Sequence, residues 1–146
     1  MRLLATLTLA LVVLCLTAAT PSAAVPRIVI FSGPPLRQRV VVSNWRTIFD
    51  VFEAAAASRP VPAAQLRRRP SLRVSMFWGP GWNEFLANGG DPRRPKPQQA
   101  DQAGRFYPAH AGRPAALDLP WAGVWPRAMP ERGLRLLRRL GVPVRR

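Results

Sequence analysis

The sequence predicts a small single α+β domain with long Pro/Gly-rich loops. Its sheet is expected to be largely antiparallel, with about four to five short strands packed by two or three helices. Short β-branched runs and two amphipathic helical patterns favour this class, as does the absence of regular strand–helix alternation. The 17 prolines and ten glycines divide the chain into short elements.

The first 24 residues are typical of a secretory signal peptide. A basic second residue, Arg2, precedes an uncharged apolar stretch and a Ser-Ala-Ala sequence that ends at Ala24. We predict cleavage after Ala24, which leaves residues 25–146 as a secreted or periplasmic domain; cleavage after Ala19 is the alternative. A retained anchor would need roughly 20 apolar residues, slightly more than are present. A lipid-modified Cys15 is disfavoured because a large residue precedes it.

Cleavage removes Cys15, which is the only cysteine of the chain. The mature domain is therefore expected to have no disulfide, no disulfide-linked partner and no thiol nucleophile. Its single histidine, His110, has no second histidine or cysteine to complete a metal site. We accordingly expect neither a metal nor a cofactor.

Two short β-branched runs and a helix follow the signal. Residues 27–31 and 37–43 predict two strands that pair as a hairpin across a Gly-Pro-Pro turn. Asn44 or Ser43 is expected to cap a helix over 45–58. We expect one aromatic and aliphatic face of this helix to pack on the sheet as core. That face comprises Trp45, Ile48, Phe49, Val51, Phe52, Ala55 and Ala56.

The middle of the chain alternates short elements with turns. Residues 72–78 predict a third strand that stops at Gly-Pro-Gly, and residues 82–88 predict a short helical turn. Residues 91–99 contain three prolines and predict a mobile loop without regular structure. Weaker strand patterns at 105–107 and 115–119 are expected to pair around a turn that contains His110.

The C-terminal part is predicted to end in a helix. Residues 121–128 show no regular pattern and are expected to be irregular. Pro130 suits the first turn of a helix over 131–140, which Gly141 and Pro143 would end. Leucines are expected on one side of this helix and arginines on the other.

The charge balance indicates an anionic partner. The chain has 22 Lys plus Arg against 7 Asp plus Glu, a formal net charge of +15, and Lys96 is its only lysine. The codon bias of a GC-rich genome would explain arginine over lysine, but not the scarcity of acids. For an exported protein we expect the partner to be an anionic envelope polymer or a membrane surface. No nucleic-acid-binding module is recognisable, which disfavours nucleic acid.

Two kinds of residue are candidate binding groups. Trp78 and Trp82 could stack on a sugar ring, with Asn83 and Glu84 hydrogen-bonding its hydroxyls; the alternative is that these tryptophans fill the core. Basic residues are expected to steer an anionic partner, or else to form solvated surface. They are Arg67, Arg68 and Arg69 on a loop, and Arg135, Arg138 and Arg139 on the last helix.

We therefore predict an exported, non-covalent binding protein for an anionic envelope component such as a glycan, a wall polymer or an acidic lipid. No residue is assigned a catalytic role. One alternative is a small glycan hydrolase that uses Glu84 with Asp91 or Asp118 as a carboxylate pair. Another is a structural or assembly partner of an envelope protein, marked by a contiguous exposed apolar patch.

Overall fold

The computed structural model describes residues 26–120 and 125–145. The predicted signal segment, Cys15 and the cleavage site Ala24 lie outside these residues, as does the first half of the segment 121–128. The strands are β1 (Ile28–Ser32), β2 (Val40–Val42), β3 (Leu72–Phe77), β4 (Gln102–Tyr107), β5 (Ala116–Asp118) and β6 (Arg127–Ala128). The helices are α1 (Trp45–Ala56), α2 (Pro80–Ala87) and α3 (Glu131–Arg139), with 3-10 helices at Ala63–Leu66 and Pro97–Gln99.

The six strands of the described residues form one antiparallel sheet in the order β2-β1-β3-β4-β5-β6. The α+β prediction is confirmed, as are the β1–β2 and β4–β5 hairpins. The strand count is one higher than expected because β6 forms where irregular structure was predicted. A two-residue strand is too short to show an alternating pattern, so the sequence gives no signal for it.

One face of the sheet carries the main hydrophobic core, covered by α1 and α3. Side chains alternate between faces along a strand, so Val29 and Phe31 of β1 point to the same side as Val74 of β3. Phe106 of β4 lies fully buried in this layer and meets Phe31 edge-to-face, with ring centroids 6.3 Å apart. The helices add the buried residues Ile48, Val51, Ala55 and Leu137.

Helix α1 begins as predicted, but its aromatic face is not all core. The Asn44 side chain accepts hydrogen bonds from the N–H groups of Arg46 and Thr47 at 3.0 and 3.2 Å. Trp45 and Phe49 are 58% and 42% exposed, so the expectation that they pack on the sheet is wrong. Ala56 is exposed as well. The buried stripe is Ile48, Val51 and Ala55, with Phe52 partly buried against the same core, because one helix presents less than half of its circumference to a flat layer.

Among the residues that the structure describes, only the two ends of the opposite face of the sheet are covered. At one end, Trp82 and Phe85 of α2 pack with Ile28, Ile30 and Phe77. At the other end, residues around the first 3-10 helix cover the far ends of β4 to β6. The buried members of that second cluster are Val61, Leu66, Tyr107, Ala116 and Ala128.

Asp101 holds the start of α2 against the start of β4. Its carboxylate accepts hydrogen bonds from the N–H groups of Trp78, Gly79 and Gly81 at 3.1, 3.3 and 2.6 Å. A Cβ atom on Gly81 would lie only 2.8 Å from Asp101 Oδ1, so the close approach needs glycine there. Burial alone would raise the pKa of Asp101, but these N–H groups together hold it below its ordinary range.

The proline-rich segment 91–99 is less irregular than predicted. It contains the 3-10 helix Pro97–Gln99, and Pro95 is buried. Arg39 Nη1 donates a hydrogen bond to the Pro95 carbonyl at 2.6 Å, which ties this segment to the connection between β1 and β2. Proline removes backbone donors but not acceptors, so a side-chain donor can fix such a loop.

Candidate anion-binding groove

A groove of about 280 Å³ opens in the uncovered middle of the second sheet face. It lies on the central strands β3, β4 and β5, where α2 and the first 3-10 helix leave the sheet accessible. Its lining residues are Arg73, Ala103, Gly104, Arg105, Asp118 and Pro120. The strands thus place two cations and one acid in a single depression.

Arg73 and Arg105 lie directly opposite each other on β3 and β4. Both side chains are exposed, and the strand alternation sends both to the open face. Like charges in directly opposed cross-strand positions repel and destabilise a sheet. The sheet therefore places two like charges side by side at its centre, and an anionic ligand would offset them.

Each of the two guanidinium groups donates a hydrogen bond to a different serine hydroxyl group. Arg73 Nε donates to Ser75 Oγ at 3.3 Å, and Arg105 Nη1 donates to Ser71 Oγ at 3.1 Å. Four residues of extended chain place Ser71 and Ser75 roughly 13 Å apart. The cations are consequently spread along β3 and do not converge on one point.

Asp118 of β5 lies opposite Arg105 and on the same face. Burial raises the pKa of Asp118, and Arg105 opposes that rise. Tyr107, which flanks Arg105 along β4, also has a raised pKa, through burial first and the Asp118 charge second. The groove thus has one carboxylate that is poorly compensated when it is ionised.

Replacing Asp118 with asparagine should stabilise the fold at neutral pH. A carboxyl group whose pKa is raised by folding stabilises the native state at low pH, and that contribution is lost as the pH rises through the folded-state pKa. Urea denaturation of both proteins from about pH 4 to about pH 7 should show that the free energy of unfolding of Asp118→Asn increases relative to that of the native chain as the pH rises. A constant difference across this range would contradict the raised pKa.

Ala103 and the backbone of Gly104 form the floor of the groove. Ala103 faces the groove, and Gly104 allows the end of β5 to cross close over β4. A Cβ atom on Gly104 would collide with the carbonyl oxygen of Asp118 and with Leu119. Glycine is therefore required here by close approach of the backbone.

The tryptophans predicted to stack on a ligand lie mostly inside the fold. Trp82 is buried and stacks on Phe85 with ring centroids 5.5 Å apart. Trp78 is half-buried and packs against the main core. The structure therefore favours the core-filling alternative for both, whereas Asn83 and Glu84 are exposed on α2.

The predicted basic residues divide into exposed and buried groups. Arg67 and Arg68 are exposed on their loop, whereas Arg69 is buried. On α3, Arg135 and Arg139 are exposed, and Arg138 pairs with Glu131 at 3.1 Å. The structure does not join these two clusters to the groove, which neither of them lines.

The carboxylate pair of the hydrolase alternative is not assembled in the groove. Asp118 lines it, but no second acid does so among the residues that the structure describes. Glu84 is exposed on α2, and Asp91 is exposed in a turn where it accepts the N–H of Arg93 at 2.8 Å. Over residues 26–120 and 125–145, no cluster of three or more His, Cys, Asp or Glu residues could hold a metal ion.

Sequence reasoning missed Arg73 and Arg105 as binding groups. The alternation of apolar and polar residues over 72–75 indicates that Arg73 lies on the polar side of a strand. Their pairing could not be read from the sequence, because it depends on the register between strands separated by about 30 residues.

Comparison with protein-family models, curated proteins and solved structures finds no match to this chain. None of the helices in the described part of the chain combines the length and apolar character that crossing a membrane requires. The groove and its charges are therefore the features that bear on function.

Proposed function

We propose that this chain is an exported, non-covalent binding protein for an anionic polymer of the cell envelope, and that the groove on the open sheet face holds the polymer. The observation that carries the proposal is the cross-strand pair Arg73 and Arg105 on the accessible middle of the sheet. An anionic ligand would give each guanidinium group a favourable charge-assisted contact.

The spacing of the cations supports a polymer over a single small anion. The two guanidinium groups lean toward hydroxyl groups roughly 13 Å apart, which is too far for one phosphate to engage both closely. An extended chain with repeated charges can contact each cation in turn. The low floor at Ala103 and Gly104 leaves space for such a chain to lie across the strands.

The chemistry of the cations and the overall charge also support an anionic ligand. A planar guanidinium group presents several donors to phosphate or carboxylate oxygens, which favours arginine for binding these groups. The excess of 22 basic over 7 acidic residues would attract a polyanion from a distance. Long-range attraction would raise the association rate, and the groove would provide the specific contacts.

The test is binding to a purified phosphate-bearing wall polymer, measured by co-sedimentation across a salt series. Removal of both groove cations by Arg73→Gln and Arg105→Gln should weaken binding by about tenfold or more, since each charge-assisted hydrogen bond contributes about 1.5–3 kcal/mol. The matched control is Arg135→Gln with Arg139→Gln, which removes the same charge from α3. This control should lose much less affinity.

Three outcomes would overturn the proposal. Absence of binding at low salt would exclude an electrostatic ligand of this kind. Equal loss in the two double variants would show that net charge, and not the groove, governs binding. Vesicles of anionic lipid that bind more tightly than the polymer, with the larger loss in the α3 variant, would assign the ligand to a membrane surface instead.

A further inference from the structure

Arg69 is a buried cation that does not line the groove. It is only 9% exposed, although Arg67 and Arg68 before it are exposed. Arg68 adopts a φ of 60°, a left-handed conformation that residues other than glycine rarely take. This turn of the backbone directs the third arginine of the run inward, so its burial is built into the fold of the loop.

One nitrogen of Arg69 anchors it to the β4–β5 hairpin. Nη2 donates to the carbonyl oxygens of Pro108 and Pro114, at 2.8 and 2.9 Å. The guanidinium carbon lies 5.8 Å from the centroid of the Tyr107 ring, a cation–π distance. These contacts fix the position of the guanidinium group beneath the loop.

The other two nitrogens of this guanidinium group have no acceptor. Nε and Nη1 are both buried, and neither finds a hydrogen-bond partner in the structure. The two ion pairs among the described residues, Arg132–Asp50 and Arg138–Glu131, do not involve Arg69. A buried charge normally has both a counter-ion and acceptors for its donors. Within residues 26–120 and 125–145, Arg69 lacks a counter-ion and part of its acceptors.

Arg113 lies beside this site, because the next residue, Pro114, accepts from Arg69 and the Arg113 side chain reaches the Gln65 carbonyl of the same loop. Burial first, and Arg113 second, lower the pKa of Arg69, and Tyr107 opposes them. An arginine nonetheless remains protonated at physiological pH. Arg113 is exposed and is held by one hydrogen bond, from its Nη1 to the Gln65 carbonyl at 3.2 Å. Its side chain can therefore rotate about its stem, whereas Arg69 is fixed.

We infer that Arg69 and Arg113 form a binding site for one oxyanion group of the phosphate type. Nε and Nη1 of Arg69 provide the fixed donors, and Arg113, which is exposed beside the same loop, provides a second cation. The site is separate from the groove, since it uses different residues and a single anion satisfies it. It adds a second anion-binding position to the molecule.

The test uses inorganic phosphate as the probe and the purified protein. Titration with phosphate should shift the ¹⁵Nε resonance of Arg69 and raise the midpoint of thermal unfolding. Arg69→Gln keeps an amide donor for the two proline carbonyls but removes the charge, and it should weaken phosphate binding by about tenfold or more. Arg113→Gln should weaken it less, and Arg68→Gln is the matched control that leaves binding unchanged.

Each result decides the question. An Arg69 resonance that does not respond to phosphate would overturn the inference even if Arg69→Gln fails to fold, because this measurement uses the native chain. Equal loss in Arg68→Gln and Arg113→Gln would overturn it as well, by reducing the effect to net charge. The double variant that lacks Arg73 and Arg105 should retain phosphate binding, so failure of the groove proposal and failure of this one are distinguishable.

Discussion

Replacement of Asp101 by alanine should destabilise the fold by about 2–4 kcal/mol, because three backbone N–H groups lose a charged acceptor at once. These groups belong to Trp78, Gly79 and Gly81, where β3 ends and α2 begins. Without this acceptor the start of α2 loses its link to the start of β4, so α2 should loosen from the sheet. Urea denaturation of the native and variant proteins measures the loss.

The matched control for this variant is Asp91→Ala. Asp91 accepts one hydrogen bond, from the N–H of Arg93 within an exposed turn, so its loss should cost under about 1 kcal/mol. Because the pKa of Asp101 is lowered by folding, its contribution is present above the ordinary aspartate pKa and is lost as the pH falls through the folded-state pKa. Similar losses in the two variants would refute the role assigned to Asp101.

Replacement of Phe106 by alanine should cost about 3–5 kcal/mol, the usual range for a buried aromatic side chain. Phe106 is fully buried in the layer between the sheet and its two covering helices, and its ring meets Phe31 edge-to-face. The cavity cannot collapse easily, because β4 lies between two paired neighbours in the sheet. Thermal and urea unfolding should both report the change.

Phe49→Ala is the matched control for this prediction. The sequence pattern of α1 assigns Phe49 to the core, yet its ring is 42% exposed. Its removal should therefore cost about 1 kcal/mol or less, since much of its apolar area remains in water. If Phe49→Ala lowers the free energy of unfolding as much as Phe106→Ala does, the exposed side of α1 must be covered in the folded protein.

The elements of this fold could be predicted because their signals are local. The β-branched runs before and after the first turn form β1 and β2, and Asn44 caps α1 as its position indicates. The α+β class follows from such signals alone. The extent of the core could not be predicted in this way, because the width of the stripe that α1 buries depends on the sheet beneath it.

The candidate sites depended on non-local geometry, which the sequence does not reveal. Arg73 and Arg105 become neighbours only through the register of β3 with β4. Arg69 is buried and Arg67 is exposed on either side of Arg68, whose backbone takes a positive φ. The sequence left Trp82 either exposed for a ligand or in the core, and the packing of α2 buries it.

Side chains along β3 and β4 alternate between the buried face and the groove face of the sheet. Arg73 and Arg105 stand between residues whose side chains are fully buried on the other face, such as Val74 and Phe106. The backbone that carries both cations is thus hydrogen-bonded to a neighbouring strand on each side, so the sheet holds it in place before a ligand arrives. Such preorganisation lowers the entropic cost of association. A ligand of this groove would meet a surface whose charge spacing is already set by the folding of the sheet.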